Sequence, residues 1–359
     1  MNEHVDVLLV TVTEIESRSV LQVFQEQTGL ESKIVPLEDK TYHDLGVLNG
    51  AHVWHALSGM GPDGLDGSLQ AVSKAIMALR PKAVVMVGVA FGLNAPKQAI
   101  GDILVSETLR LYELQRVGIE AARPNIILRG SRPDASPWLL DCLRNARLHW
   151  DAAPVHFGVL LTGQKLVDNL DLREHLRSFE PEAIGGEMEG AGLYAACQAA
   201  KVDWILVKAI CDWADGHKSV NRARRQKLAA RNAAHFVLHA LTGIGLKRDA
   251  SFSGLWKGGF RLQSIQHSVC AVIWAEDRRM RCAMTVAYTF NGAVTVVVER
   301  FSCEVAGDTI TLVGYDWSFL IEGNEGNYRL DAFRLVLAAD GTTLNDAAGE
   351  SGISLRRTN

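Results

Sequence analysis

Over roughly the first two thirds of the chain, short apolar, β-branched runs alternate with longer stretches whose apolar positions recur at helical spacing. VDVLLVTV (Val5–Val12), AVVMVGVA (Ala83–Ala90), DILVS (Asp102–Ser106), FGVLLTG (Phe157–Gly163) and WILVKAI (Trp204–Ile210) are nearly continuous in hydrophobicity. That is the pattern of strands buried on both faces. The segments between them predict helices over Asp66–Leu79, Pro137–Arg147, Gly190–Ala200 and Arg224–Leu241. Such alternation implies an α/β unit, a parallel or mixed β-sheet covered by helices. Sheets of this kind collect ligands at the carboxyl ends of their strands, so the residues that follow each run are the ones to search for chemistry.

The character changes around Gly243–Ser251, where helical periodicity gives way to short strand-like runs. These are Val269–Ala275, Arg281–Thr289, Val294–Val305, Thr309–Gly314, Ser318–Glu322 and Tyr328–Ala338. Turn signals separate them, at Asn291-Gly292, Gly307-Asp308, Gly323-Asn324-Glu325-Gly326 and Asp340-Gly341. Two domains are therefore expected: an α/β domain over residues 1–247 and an all-β barrel or sandwich over residues 252–359. A length of 359 residues, more than one hydrophobic core usually serves, agrees with this.

Composition narrows the function classes. With 48% hydrophobic and 22% charged residues the chain reads as an ordinary globular protein. A net charge of −4 gives no reason to expect a nucleic-acid polymer as partner. No apolar run reaches the roughly 18 residues that span a bilayer, and the start lacks signal-peptide order, so a cytoplasmic protein without membrane association is expected. The six cysteines lack CxxC spacing, which predicts neither a metal nor a disulfide. No cofactor is expected.

The candidate chemistry lies in Gly186-Glu187-Met188-Glu189-Gly190, before a predicted helix, and in Ala209-Ile210-Cys211-Asp212-Trp213-Ala214-Asp215, at the end of a buried run. Cleaving a purine N-glycosidic bond calls for a proton donor at the base, a grip on the sugar hydroxyls and a positioned nucleophile, and carboxylates suit all three roles. Other pieces accompany these blocks: Thr11-Val12-Thr13-Glu14-Ile15-Glu16, Ser58-Gly59-Met60-Gly61, Gly88-Val89-Ala90-Phe91-Gly92, Gly101-Asp102-Ile103 and Thr162-Gly163-Gln164-Lys165-Leu166-Val167. Together they resemble the nucleoside phosphorylase and nucleosidase superfamily, in particular the methylthioadenosine and adenosylhomocysteine nucleosidases.

The resemblance covers Val5 to about Leu241 and implies a three-layer nucleoside phosphorylase-like fold with a mixed sheet. It implies that Asp212 donates a proton to purine N7, that Glu189 holds the ribose hydroxyls with Met188 against the sugar, and that Glu16 or Glu14 orients the attacking water. Ser58, Gly59, Gly88 and Ala90 fall on turns that line the pocket in the family, Glu187 on its acidic block, and Leu166 and Val167 on its base-binding segment. Leu166 stands where the family has an aromatic residue, which leaves Phe91 or Trp213 to stack on the base. Phosphorylases of the superfamily bind phosphate through an Arg and a hydroxyl at positions occupied here by Met86 and Val89. Water rather than phosphate is then the expected nucleophile.

Arg110, Arg116, Arg123, Arg129 and Arg132 form a dense basic supply that would suit a phosphate-bearing substrate. Phe252-Ser253-Gly254-Leu255-Trp256-Lys257-Gly258 opens the β region and looks like the start of a calycin-type barrel, similar to sensors of anti-phage effectors that respond to cyclic oligonucleotides. Arg278, Arg279, Arg281, Arg300, Arg329 and Arg334 would suit such an anion. The expectation is a homo-oligomeric purine nucleosidase acting on an adenine nucleotide, activated through the β domain. A methylthioadenosine nucleosidase or phosphorylase with a structural C-terminal domain, with Trp256 as a core plug, and a non-catalytic nucleoside sensor are the alternatives.

Overall fold

The computed structural model describes residues 5–120, 123–243, 252–262, 264–276, 279–323, 329–338, 341–347, 349 and 351–358. The chain divides into two compact units, Met1–Lys247 and Arg248–Asn359. The expected change of character over residues 244–251, with Arg278, Asn324-Glu325-Gly326, Tyr328, Asp340 and the side chain of Arg123, lies outside the described residues.

The first unit runs β1 (Val7–Thr11), α1 (Glu14–Thr28), β2 (Lys33–Leu37), β3 (Lys40–Leu48), β4 (Ala51–Leu57), α2 (Ser68–Leu79), β5 (Ala83–Gly92), β6 (Ile103–Leu111), β7 (Gln115–Glu120), β8 (Arg123–Leu128), α3 (Pro137–Arg147), β9 (Val155–Thr162), α4 (Leu170–Phe179), β10 (Ala183–Glu187), α5 (Gly190–Ala200), β11 (Asp203–Asp212) and α6 (Arg222–Gly243). A mixed sheet of nine strands has the order β10-β9-β6-β11-β5-β1-β4-β3-β2, and β7 and β8 form a separate hairpin. The five apolar runs form β1, β5, β6, β9 and β11, and the predicted helices form α2, α3, α5 and α6. α1 and α3 pack with α6, and α2 packs with α5, which gives the helical layers on the sheet. Residues Ala83–Val87 and Ile205–Val207 have almost no exposed surface. Each fully buried Val or Leu there contributes about 1.5–3 kcal/mol.

Six strands and two helices of this unit were not anticipated, for identifiable reasons. The first turn of α1 is acidic and its buried face is narrow, carried by Val20, Val23 and Phe24. α4 buries only Leu176. In β10 the Gly185-Gly186 pair reads as a turn. The segment Gly88–Phe91, matched above to a turn, is the interior of β5. No helix among the described residues is long and apolar enough to cross a membrane.

The second unit is a closed barrel of eight strands: β12 (Gly254–Leu262), β13 (Ile265–Glu276), β14 (Arg279–Phe290), β15 (Ala293–Ala306), β16 (Thr309–Ile321), β17 (Ala332–Leu337), β18 (Thr343–Asp346) and β19 (Ser354–Thr358). Every neighbouring pair is antiparallel, and β19 returns to β12. At the β14–β15 turn Asn291 and Gly292 both have positive φ, 48° and 78°, as a two-residue hairpin of matching twist requires. Thr309–Gly314 and Ser318–Glu322, expected as two strands, belong to the single strand β16. Its register shifts where Arg300 faces Asp316 and Phe301 faces Gly314, so a bulge rather than a loop separates the two apolar stretches.

Alternate residues point inward and fill the barrel, among them Met284, Phe301, Ile310, Leu312, Leu335 and Leu355. Trp256 lies fully buried among them. Its Nε1 donates to the Phe252 carbonyl at 2.9 Å, and the Arg357 guanidinium lies 4.6 Å from its ring, an attractive arrangement. Trp256→Ala should cost about 3–5 kcal/mol, measured as a lower urea midpoint.

Candidate functional site

The site is assembled by strand pairing. β10 pairs in parallel with β9 and also, antiparallel, with β5, through Gly185 opposite Gly92 and Gly186 opposite Phe91. The strands β5, β11, β6, β9 and β10 thus close on themselves. The same Phe91 pairs with Asp212 at the end of β11. The closure needs glycine: a Cβ on Gly186 would overlap the Phe91 ring. The ends of three strands, bearing Phe91, Glu187 and Asp212, are therefore brought together by backbone register.

Beneath them lies a buried charge cluster. Lys208, in the interior of β11, is fully buried. Its ammonium lies 3.5 Å from Glu189 Oε2 and 3.8 Å from Glu187 Oε2. Burial alone would pull its pKa down, but Glu189, Glu187 and Glu16 outweigh that and hold it above the ordinary lysine range. Burial pushes the Glu189 carboxyl upward; Lys208 opposes this and Glu187 adds to it. Gly88 makes room for the cluster, since a Cβ there would overlap Glu16 Oε1 and stand 3.2 Å from the Lys208 ammonium.

Each carboxylate is fixed by backbone amides. Glu16 sits in the first turn of α1 and closes a capping box with Thr13: its Oε2 accepts from the amides of Thr13 (2.7 Å) and Val12 (3.0 Å), and its Oε1 from Val89 (2.8 Å). Glu187 accepts from Glu189 N at 2.9 Å and from Gly190 N at 2.9 and 3.0 Å, anchoring the amino end of α5, where a negative charge is favoured. Glu189 Oε1 accepts from Gly61 N at 3.2 Å. Asp212 Oδ1 accepts from Ala214 N at 3.0 Å, its Oδ2 accepts from Cys211 Sγ at 3.1 Å, and the Lys218 ammonium stands 3.3 Å from Oδ2.

These groups open into one cleft. Of the residues singled out from the sequence, Glu16, Ala90, Phe91, Leu166, Val167, Glu187, Met188, Glu189 and Asp212 line it. Glu14 does not: it is exposed and pairs with Arg18, so of the two candidates only Glu16 faces the cleft.

Four others lie off its walls. Ser58 donates to the Gly59 carbonyl at 3.0 Å, and Gly59 N donates to Asp66 O at 2.6 Å, so this turn is closed on itself and offers Met60 to the cleft and Gly61 N to Glu189. Gly88 acts from behind the wall. The Trp213 ring packs against Gly92, leaving Phe91 as the aromatic residue of the cleft lining. Arg110 and Arg132 are turned to Glu180, at 3.9 and 3.4 Å, and neither they nor Arg116 or Arg129 line the cleft.

Sequence reasoning missed Lys208, Arg222 and Gln226. A lysine inside the doubly buried run WILVKAI was a readable signal, because a lysine is almost never fully buried unpaired.

Residues 26–242 match the family described as the phosphorylase superfamily. The chain belongs to the phosphorylase superfamily. Among curated members, a death domain-containing ATP nucleosidase of Amphimedon queenslandica is 30% identical over 261 residues, which cover 65% of this chain and 48% of that relative. A 5′-methylthioadenosine/S-adenosylhomocysteine nucleosidase of Maridesulfovibrio salexigens is 28% identical over 206 residues, 56% of this chain and 85% of the relative. The chain thus spans about half the length of the first of these phosphorylase-superfamily relatives. Among solved structures, the methylthioadenosine/adenosylhomocysteine nucleosidase of Neisseria meningitidis superposes with a TM-score of 0.55 at 20% identity, covering 66% of this chain and 98% of that one. Futalosine hydrolase of Helicobacter pylori gives 0.55 at 22%, covering 66% and 97%. These likenesses show the superfamily fold.

Removing the central cation should reveal the cluster's charge balance. Lys208→Met leaves Glu187 and Glu189 buried without a counter-ion, which should cost about 3–5 kcal/mol at neutral pH. A carboxyl whose folded pKa is raised above its unfolded value binds protons that the unfolded chain releases, so the variant should lose stability as pH rises from the ordinary value of 4.5. The gap to wild type should narrow toward pH 5 and widen toward pH 7.5 in urea titrations at the two pH values.

Proposed function

We propose that the protein is a hydrolase that cleaves the N-glycosidic bond of an adenine nucleotide, such as ATP or AMP. The observation that carries this reading is the convergence of Asp212, Glu189 and Glu16 on one cleft beside Phe91. In the reaction Phe91, Leu166 and Val167 hold the base, and Asp212 gives a proton to purine N7 as the bond to the anomeric carbon breaks. Glu189 accepts hydrogen bonds from the ribose hydroxyls, which strengthen as positive charge develops on the sugar. Glu16 keeps lone pairs beyond those given to backbone amides and takes a proton from the attacking water.

Water is favoured over phosphate by the residues at the two positions where phosphorylases of the superfamily bind it. Met86 is fully buried in the core, and Val89 offers an apolar side chain while its amide is engaged by Glu16. An anion site needs fixed cations or hydroxyl donors, and these two positions provide neither. The adenine-nucleotide reading draws support from the ATP nucleosidase of Amphimedon queenslandica, and the methylthioadenosine nucleosidases support the base and bond type alone.

The barrel is proposed to regulate the enzyme, as part of a homo-oligomeric defence effector that answers to a cyclic oligonucleotide. Its interior is filled by side chains, so the ligand belongs on the outer wall.

Incubation with ATP, AMP, adenosine and methylthioadenosine, read as free adenine, tests the activity. Asp212→Asn should lower the rate about 10²- to 10⁴-fold; a variant within threefold of wild type would remove Asp212 as the proton donor. Inorganic phosphate should leave the rate unchanged and yield no ribose 1-phosphate. Cyclic di- and trinucleotides should alter adenine release by the full chain. If none does, the regulatory reading fails and the barrel is a structural module.

A further inference from the structure

The cleft is polar in a second sense: its charges are sorted by depth. The acidic groups Glu16, Glu187, Glu189 and Asp212 lie on its floor, each with 3–6% of its surface exposed. The cationic groups of its lining, Lys165, Lys218 and Arg222, come in turn from the loop after β9, from the segment joining β11 to α6 and from the first turn of α6. Lys165 and Arg222 are exposed, which puts them at the rim.

These three cations differ in what already occupies them. Lys165 is paired with Glu113. Lys218 rests against Asp212 at 3.3 Å. Arg222 has no acidic partner among the described residues, and the first turn of α6 carries no acidic residue. Arg222 and Gln226 are one helical turn apart, hence on one face of α6, and both line the cleft. A guanidinium fork, an ammonium and an amide on one wall are donors suited to phosphoryl oxygens and poorly suited to an apolar 5′ substituent.

We propose that Arg222, assisted by Lys218 and Gln226, forms the subsite that holds the 5′-phosphates of the substrate. The proposal rests on the nucleosidase reading for the identity of the substrate, and it replaces the arginines of the β6–α3 segment as the phosphate-binding group. Arg222 is the anchor because its charge is uncommitted, whereas Lys218 must leave Asp212 to reach a phosphate.

The test has a catalytic and a non-catalytic arm. In the first, kcat/KM is measured for ATP and for adenosine with wild type, Arg222→Ala and Arg222→Lys. The ATP-to-adenosine ratio should fall about tenfold in Arg222→Ala, the worth of one charge-assisted hydrogen bond, and recover in part in Arg222→Lys. In the second, calorimetry follows binding of inorganic tripolyphosphate, which has no glycosidic bond. Its affinity should drop about tenfold in Arg222→Ala. An unchanged ratio would overturn the subsite, including the case in which tripolyphosphate still binds through Arg222, which would mark a free-anion site instead. If no substrate releases adenine but tripolyphosphate binding depends on Arg222, the anion site stands and the nucleosidase reading falls. If adenine is released and neither arm responds to Arg222, the subsite falls and the nucleosidase reading stands.

Discussion

A lysine ammonium sealed inside a central strand would be among the most expensive features a fold could carry, since an isolated buried charge costs far more than any single contact returns. Lys208 is tolerated because Glu189 and Glu187 stand 3.5 and 3.8 Å from it and Glu16 adds its field. That requirement reaches across the first unit. Glu16 arrives on the first turn of α1, Glu187 on the end of β10 and Glu189 at the start of α5, so the balance of charge ties three separate elements to the centre of β11. Gly88 belongs to the same constraint, because any side chain there would occupy the space of the Glu16 carboxylate.

The carboxylates that could do chemistry are thus also structural groups. Glu16 completes the cap of α1 and accepts from Val89 across to β5; Glu187 satisfies the first amides of α5. Amides that must find acceptors at a helix start here find catalytic candidates, which holds those oxygens in place before any substrate arrives. Preorganised charge of this kind needs no rearrangement as a reaction proceeds. Asp212 is held differently, by Ala214 N on one oxygen and by the part-buried Lys218 on the other.

Much of this was legible in the sequence, because strands buried on both faces announce themselves as unbroken apolar runs and the acidic blocks stand at their ends. The elements that escaped do so for physical reasons. β10 depends on Gly185 and Gly186, which look like a turn and are needed for a strand pressed against Phe91. The T-x-x-E signature of Thr13–Glu16 is a helix-start signal as well as a candidate catalytic segment, and it both closes the capping box of α1 and sets Glu16 in the cleft lining. Trp213 looked like a stacking platform because it adjoins Asp212, yet side chains alternate along an extended chain, and its ring turns to Gly92 while Phe91, from the neighbouring strand, faces the cleft. The arginines from β6 to α3 formed a dense supply in sequence, but density along a chain does not fix direction: Glu180, at the carboxyl end of α4, claims Arg110 and Arg132.

The barrel poses the converse problem, a fold whose interior leaves little for a ligand. Among its described residues the buried carboxylate is Glu299, whose Oε1 accepts from Asp331 N at 2.7 Å beside Gly314, at the point where β16 bulges. Its placement serves the bulge and closes the wall. Under the proposed regulatory reading a ligand would meet the barrel from outside, where Arg300 pairs with Asp316 at 2.7 Å and Arg281 with Glu276 at 3.4 Å. Exposed pairs of this kind are worth about 0–1 kcal/mol, so an anion offering several phosphates would displace their carboxylates at small cost. Arg300 and Arg281 would consequently be open to a multivalent anion even though each is paired, whereas the apolar interior is closed to one by its packing.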